Sequence, residues 1–206
     1  MRTALRVGIV IFNLGEYHAA HDAWEDIWLQ LERGSTDERF LHGLIQYTAA
    51  VHHAANRNWT GATGLATSAI EYLDDLGATY AGVNLEPIRL VLLQLGRDPE
   101  WIERRTIVPI EFNGDTIDHH DLSLEEIAHA ARIIAEEYDY DPSVVRRAKR
   151  FAQADIEDGR STTPFIPLLY DFVDPGRNRI VVFHRLRQHV DRRTDREADV
   201  EGLFDC

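Results

Sequence analysis

The sequence predicts an all-α protein, an antiparallel array of helices, and two observations predict it. Apolar residues recur at the three- and four-residue spacing of an amphipathic helix through most of the chain. The punctuation is made of helix caps, such as Ser35-Thr36-Asp37-Glu38, Ser123-Leu124-Glu125-Glu126 and Asp141-Pro142, rather than of hairpin turns.

Taken in order, a short first helix covers Thr3 to Asn13, and Gly15 ends it. A second runs from Glu16 to Glu32 and stops at Arg33-Gly34, with glycine past the last turn. Ser35 to Glu38 reads as a capping box that opens a long third helix reaching Asn56. The next helix, Trp59 to Leu76, carries Gly61, Ala62, Gly64, Ala66 and Ala69, small residues that suit close approach by a neighbour. Pro87 and Asp98-Pro99 mark further helix starts, where the missing N–H of proline costs nothing. Periodicity fails between Thr106 and Asp121, which reads as a loop holding one small hairpin at Asn113-Gly114. Beyond it, Ser123, Asp141-Pro142 and Thr163-Pro164 open more helices, and Phe183, Leu186 and Val190 keep helical spacing. The β-branched run Arg179 to Phe183 leaves a strand open as an alternative there. Two parts are expected: a helical module over 1–105 and a mainly helical C-terminal extension over 106–206, packed on it.

Composition narrows the function classes. With 206 residues the chain can bury a sizeable core. Its single cysteine, Cys206, rules out an internal disulfide framework and a cysteine-rich zinc site. Arg6 and Gly8 interrupt any signal-peptide core, and no apolar run is long enough to span a bilayer, so a cytoplasmic protein is expected. The net charge of −13 argues against a nucleic-acid partner, whose phosphates call for clustered cations. The arginine patches at Arg146–Arg150 and Arg192–Arg196 read as solvated helix faces. No partner is named by the sequence, and a homo-oligomer stays open. Lys149 is the only lysine beside 21 arginines. That bias, with the acidic excess, suggests a halophilic surface held apart by charge and screened by salt.

The chemistry-bearing residues gather in the second and third helices. Tyr17, Ala20, Trp24, Ile27, Trp28 and Leu31 form an apolar stripe with His21 in its middle, which predicts a buried imidazole. Glu25 lies four residues on, one turn up and within reach of His21. A carboxylate there needs a partner, because burying an unpaired charge is expensive. On the third helix Leu41, Ile45, Thr48 and His52 share a side, and His52 is expected to meet the pair. His21, Glu25 and His52 would then make an incomplete ligand set for a divalent metal, with zinc, manganese or iron suited to imidazole and carboxylate. The same three residues also fit a satisfied hydrogen-bond network that only specifies packing. Both readings stand on spacing alone.

The run Phe12-Asn13-Leu14-Gly15-Glu16-Tyr17-His18-Ala19-Ala20-His21-Asp22-Ala23-Trp24-Glu25-Asp26-Ile27-Trp28, with Gly43-Leu44-Ile45-Gln46, Ala49-Ala50-Val51-His52 and Asn58-Trp59-Thr60-Gly61-Ala62, resembles an uncharacterised helical family, domain of unknown function 309. The likeness covers roughly residues 10–100 and leaves the second half outside it. It implies a small all-helical module, some of whose members carry the label of predicted metal-dependent hydrolase. Carried over by position, it marks His21, Glu25, Trp28, Gln46, His52 and Asn58, with Tyr17 beside them as a supporting pocket residue. On that implication Glu25 would be a ligand or general base, and His21 and His52 ligands or proton carriers. His18 and Asp22 flank His21 as surface residues that can add ligands, and His42, Gln46 and His53 form a second stripe read as solvated. Asp118-His119-His120 resembles the Asp-His-His signature of a manganese phosphoesterase family, but the sheet and upstream aspartates that signature needs are missing, which leaves a solvent-facing loop.

Overall fold

A computed structural model describes residues 1–160 and 162–202, the side chains of 200–202 excepted. Cys206 lies outside the described residues. Helix accounts for 71% of the structure and the strands are few and short, so the class is all-α. No helix among the described residues is long and apolar enough to cross a membrane. The chain divides into two compact units between Asp118 and His119.

The first unit opens with α1 (Arg2–Asn13), α2 (Tyr17–Trp28), α3 (Thr36–Ala55), α4 (Trp59–Leu73) and α5 (Leu85–Arg97), each packed on the next. Short connections force such neighbours to run antiparallel. α1 is buried from Leu5 to Phe12 apart from Arg6, and its Gly8 exists for a neighbour. A Cβ there would stand 2.1 Å from Nε1 of Trp24, a fully buried ring. The small-residue face of α4 is built from Ala62, Ala66, Ala69 and Leu73, all buried. The glycine that permits the approach is Gly43 of α3, where a Cβ would meet Leu73 Cδ2 at 2.5 Å, while Gly64 faces open space.

Several ends differ from the periodicity. α2 stops at Trp28 instead of Glu32, because Gln30 N and Leu31 N bond three residues back, to Ile27 and Trp28, and tighten the chain out of the α-helix. Ser35 caps α3 by accepting from Glu38 N at 3.2 Å, but only that half of the expected box forms. The Glu38 carboxylate turns away, to Trp28 Nε1 and Gly34 N. α4 ends at Leu73, where Arg89 of α5 donates to the carbonyls of Leu73, Leu76 and Gly77. Pro99 begins a 3-10 turn to Arg104.

A hairpin unseen in the sequence, β1 (Thr79–Tyr80) and β2 (Val83–Asn84), pairs onward with β3 (Glu111–Phe112) and β4 (Asp115–Thr116) in an antiparallel sheet ordered β1-β2-β3-β4. Asn113-Gly114 turns the second hairpin with positive φ at both residues, as that dipeptide predicts. Asn13 holds this segment to the first unit: Nδ2 donates to the carbonyls of Ile110 and Ile117, and Oδ1 accepts from Ile110 N at 2.8 Å. Those bonds, with the pairing of Val83 and Phe112, tie residues 110–117 to the first unit.

The second unit contains α6 (Leu124–Glu137), α7 (Pro142–Glu157), α8 (Phe165–Val173) and α9 (Arg179–Gly202). Ser123 and Glu126 form the complete capping box, and Asp141 caps α7 through Ser143 N at 2.8 Å. Residues 179–183 are helical, which removes the strand alternative. His119 is buried in a 3-10 turn with its ring 4.0 Å from that of His120, so the expected solvent-facing loop is only half right.

Candidate functional site

α2 presents its polar residues along one side because the other side is taken up by Ala19, Ala20, Ala23 and Trp24 in the core. His21 is on the border of these faces. Its side chain is 28% exposed, so the imidazole is half-buried and not enclosed as its place in the stripe suggested. The nearest partner is also not the expected one: Nδ1 of His21 stands 2.9 Å from Oδ1 of Asp22, the next residue. That hydrogen bond is the largest influence on the ring and holds its pKa above 6.5 against the opposing effect of burial, with the Glu25 charge adding to the rise. Ligand atoms of His21, Asp22 and Glu25 lie within 4.8 Å of one another. Metal–ligand bonds of about 2.0–2.2 Å put donor atoms on one ion about 3–4.4 Å apart, so a small side-chain adjustment brings these three together.

His18 lies between the predicted partners. Its ring is stacked 6.2 Å from that of His21 and lies tilted 5.2 Å from that of His52, and one of its ligand atoms is within 4.8 Å of one of Asp22. His52 of α3 therefore reaches the α2 face through His18 and does not join the His21–Asp22–Glu25 cluster. Its Nε2 stands 3.2 Å from Nδ2 of Asn56.

The remaining family-pattern residues have different tasks. Tyr17 packs its ring 5.0 Å from that of Phe12, and burial raises its phenol pKa. Asn58 is the N-cap of α4, accepting from Gly61 N at 3.1 Å and standing 2.8 Å from His53 Nδ1. Gly61 is required there, since a Cβ would crowd the Asn58 amide at 2.8 Å. The Asn58-to-Gly61 motif is thus a capping device.

Trp28 and Gln46 belong to a second polar cluster around His42, half-buried where the spacing of His42, Gln46 and His53 predicts a solvated face. Trp28 Nε1 donates to Glu38 Oε1 at 2.8 Å, His42 Nδ1 is 3.5 Å from the same oxygen, and Gln46 Nε2 is 3.0 Å from His42 Nε2. The His42 ring is also 4.6 Å from Trp28 and 4.0 Å from Tyr72 of α4. Burial pushes the His42 pKa below 6.5, against the pull of Glu38. A neutral ring satisfies the geometry: Nδ1–H faces the carboxylate and Nε2 accepts from the Gln46 amide. Trp28, Leu31, Arg33, Glu38, His42 and Tyr72 line a pocket of about 420 Å³. Glu38 was legible only as a capping residue; the available signal was that it sits four residues before His42, on one face with it.

Residues 5–65 match the model of a family described as Domain of unknown function (DUF309). That span contains both polar clusters apart from Tyr72 and confirms the resemblance carried by the motifs. No curated protein matches the chain.

Proposed function

We propose that the chain is a divalent-metal-binding protein whose ion is taken by His21, Asp22 and Glu25 on the outward face of α2, with His18 beside them. The observation that carries this reading is the convergence of one imidazole and two carboxylates within 4.8 Å on a half-exposed helix face. A nitrogen and oxygen donor set of this kind suits zinc, manganese or iron. Three protein donors on one helix leave coordination positions for water, and a bound ion would supply an activated water there, the chemistry of a hydrolase. His21 orients against Asp22 before any ion arrives, which lowers the cost of ordering the site.

The alternative, that His21, Glu25 and His52 only specify packing, has less support, because a network of that kind lies elsewhere. The Glu38, His42 and Gln46 cluster ties α3 to Trp28 at the end of α2 and to Tyr72 of α4. It does what a packing network does, whereas His21 bonds a neighbour on its own helix.

The test is elemental analysis of protein purified without chelator or histidine tag, before and after incubation with zinc, manganese or iron. Wild-type protein should take up about one equivalent, and His21→Ala and Glu25→Gln should lose it with helical content unchanged. A wild type that takes up none, or variants that load equally well, would refute the proposal.

A further inference from the structure

The second unit of this acidic chain contains a pocket walled by arginines. α9 carries Arg192 and Arg196 one turn apart on one face, with Arg193 beside them, and Arg160, just past the end of α7, joins them around a volume of about 280 Å³. His189 completes the wall, its ring edge-on to Phe165 at 6.4 Å. At the base is Asp155, with 5% of its side chain exposed. It accepts from Arg160 Nη1 at 2.8 Å and lies 3.4 Å from Arg193 Nη1.

These contacts leave an imbalance. One buried carboxylate needs one cation, and Asp155 has two. Asp158 takes a further nitrogen of Arg160 at 3.2 Å, and Glu197 takes Nε of Arg193 at 3.2 Å. Arg192 and Arg196 have no ion-pair partner among the described residues, although the chain has 35 acidic residues to 22 basic ones. Four guanidinium groups thus meet three carboxylates, all on Arg160 and Arg193, which leaves the Arg192 and Arg196 side of the pocket positive and open to an anion. Two of the four are held in place by buried Asp155, so their forks are oriented before a ligand arrives.

We propose that this pocket binds a phosphoryl group on a small molecule. Such a group carries up to two negative charges on three acceptor oxygens, against one charge on the two oxygens of a carboxylate, and so can meet more guanidinium forks at once. A volume of about 280 Å³ suits a phosphoryl group with a small substituent, and the net charge of −13 repels a nucleic acid. The reading is independent of the α2 metal site. It gives the part of the chain outside the family match a function of its own.

The experiment is calorimetric titration of the whole protein with inorganic phosphate, pyrophosphate and adenosine 5′-monophosphate at fixed ionic strength. Wild type is compared with Arg192→Ala/Arg196→Ala and with a charge-matched control, Arg185→Ala/Arg187→Ala, on exposed positions of the same helix outside the pocket. The site variant should bind at least about tenfold more weakly and the control within about twofold of wild type. Tighter binding of the nucleotide would identify an organic monoester as the source of the phosphoryl group, and equal binding a free phosphate. Equal loss in both variants would reveal general charge attraction and overturn the proposal. So would undiminished binding by the site variant, or no binding of any probe by wild type up to about 10 mM.

Discussion

Replacing Glu38 by alanine tests the packing cluster directly. The carboxylate accepts from Trp28 Nε1 at 2.8 Å and from Gly34 N at 3.2 Å, with 13% of its side chain exposed. A hydrogen bond to a charged group contributes about 1.5–3 kcal/mol when shielded, and the exposed Gly34 bond about 0.5 kcal/mol. Glu38→Ala should therefore cost about 2–3 kcal/mol, and a unit of this size should lose roughly 6–12 °C in melting temperature. Glu38→Gln retains the shape and one acceptor oxygen, and should lose about half as much. The assay is thermal melting followed by circular dichroism and tryptophan fluorescence. It is extended to a double-mutant cycle with Trp28→Phe, which removes the indole donor while keeping a ring. Coupling of about 1–2 kcal/mol is expected between positions 28 and 38. Additive effects, or a melting temperature within about 2 °C of wild type for Glu38→Ala, would show that the carboxylate does not join α2 to α3.

Gly8→Ala should destabilise the first unit by about 1–3 kcal/mol, read as a lower urea midpoint, because the new methyl enters the Trp24 ring at 2.1 Å; an unchanged midpoint would mean that the ring is not seated there. The His42 imidazole should titrate below 6.5 when followed by proton–carbon NMR. Since its folded pKa is depressed, its contribution to stability is full above the unfolded value and is lost as pH falls through the folded one; a midpoint at or above 6.5 would refute the buried, neutral ring. With a net charge of −13 and one lysine beside 21 arginines, we propose that the fold depends on salt. Dialysis into low salt should reduce the helical dichroism, and full retention would count against a halophilic surface.

Caps carried most of the fold in readable form. Ser35, Ser123 and Asp141 each accept from the backbone N–H that their sequence context predicts. Lost were features decided by tertiary contact. β1 and β2 are two residues each, too short for alternation to register, and exist because Val83 pairs with Phe112 across the sheet. α2 ends earlier than its spacing predicts because apolar Leu29 and Leu31 continue the helical rhythm where the backbone has already tightened. In the site, the four-residue rule brought Glu25 near His21 correctly, but it is blind to the adjacent residue, and Asp22 captured the ring nitrogen. The offset of His52 along α3 relative to α2 is set by how the helices pack, which periodicity within one helix does not encode. Its ring accordingly ended beside His18.

The environments of the two clusters differ in how freely each histidine can change its protonation. His21 has a carboxylate on its own helix and an open side, so its protonation can change without moving another element. His42 is pressed between Trp28 and Tyr72 with an amide and a carboxylate on its two nitrogens, so charging it disturbs three helices at once. Burial accordingly lowers the pKa of His42, while the Asp22 bond raises that of His21. Removing the His21 imidazole should therefore change metal uptake with little effect on melting, whereas removing the Glu38 carboxylate should lower the melting temperature and leave uptake intact. If each substitution altered both properties, the clusters would be one coupled network across α2 and α3, and the division of labour between them would be wrong.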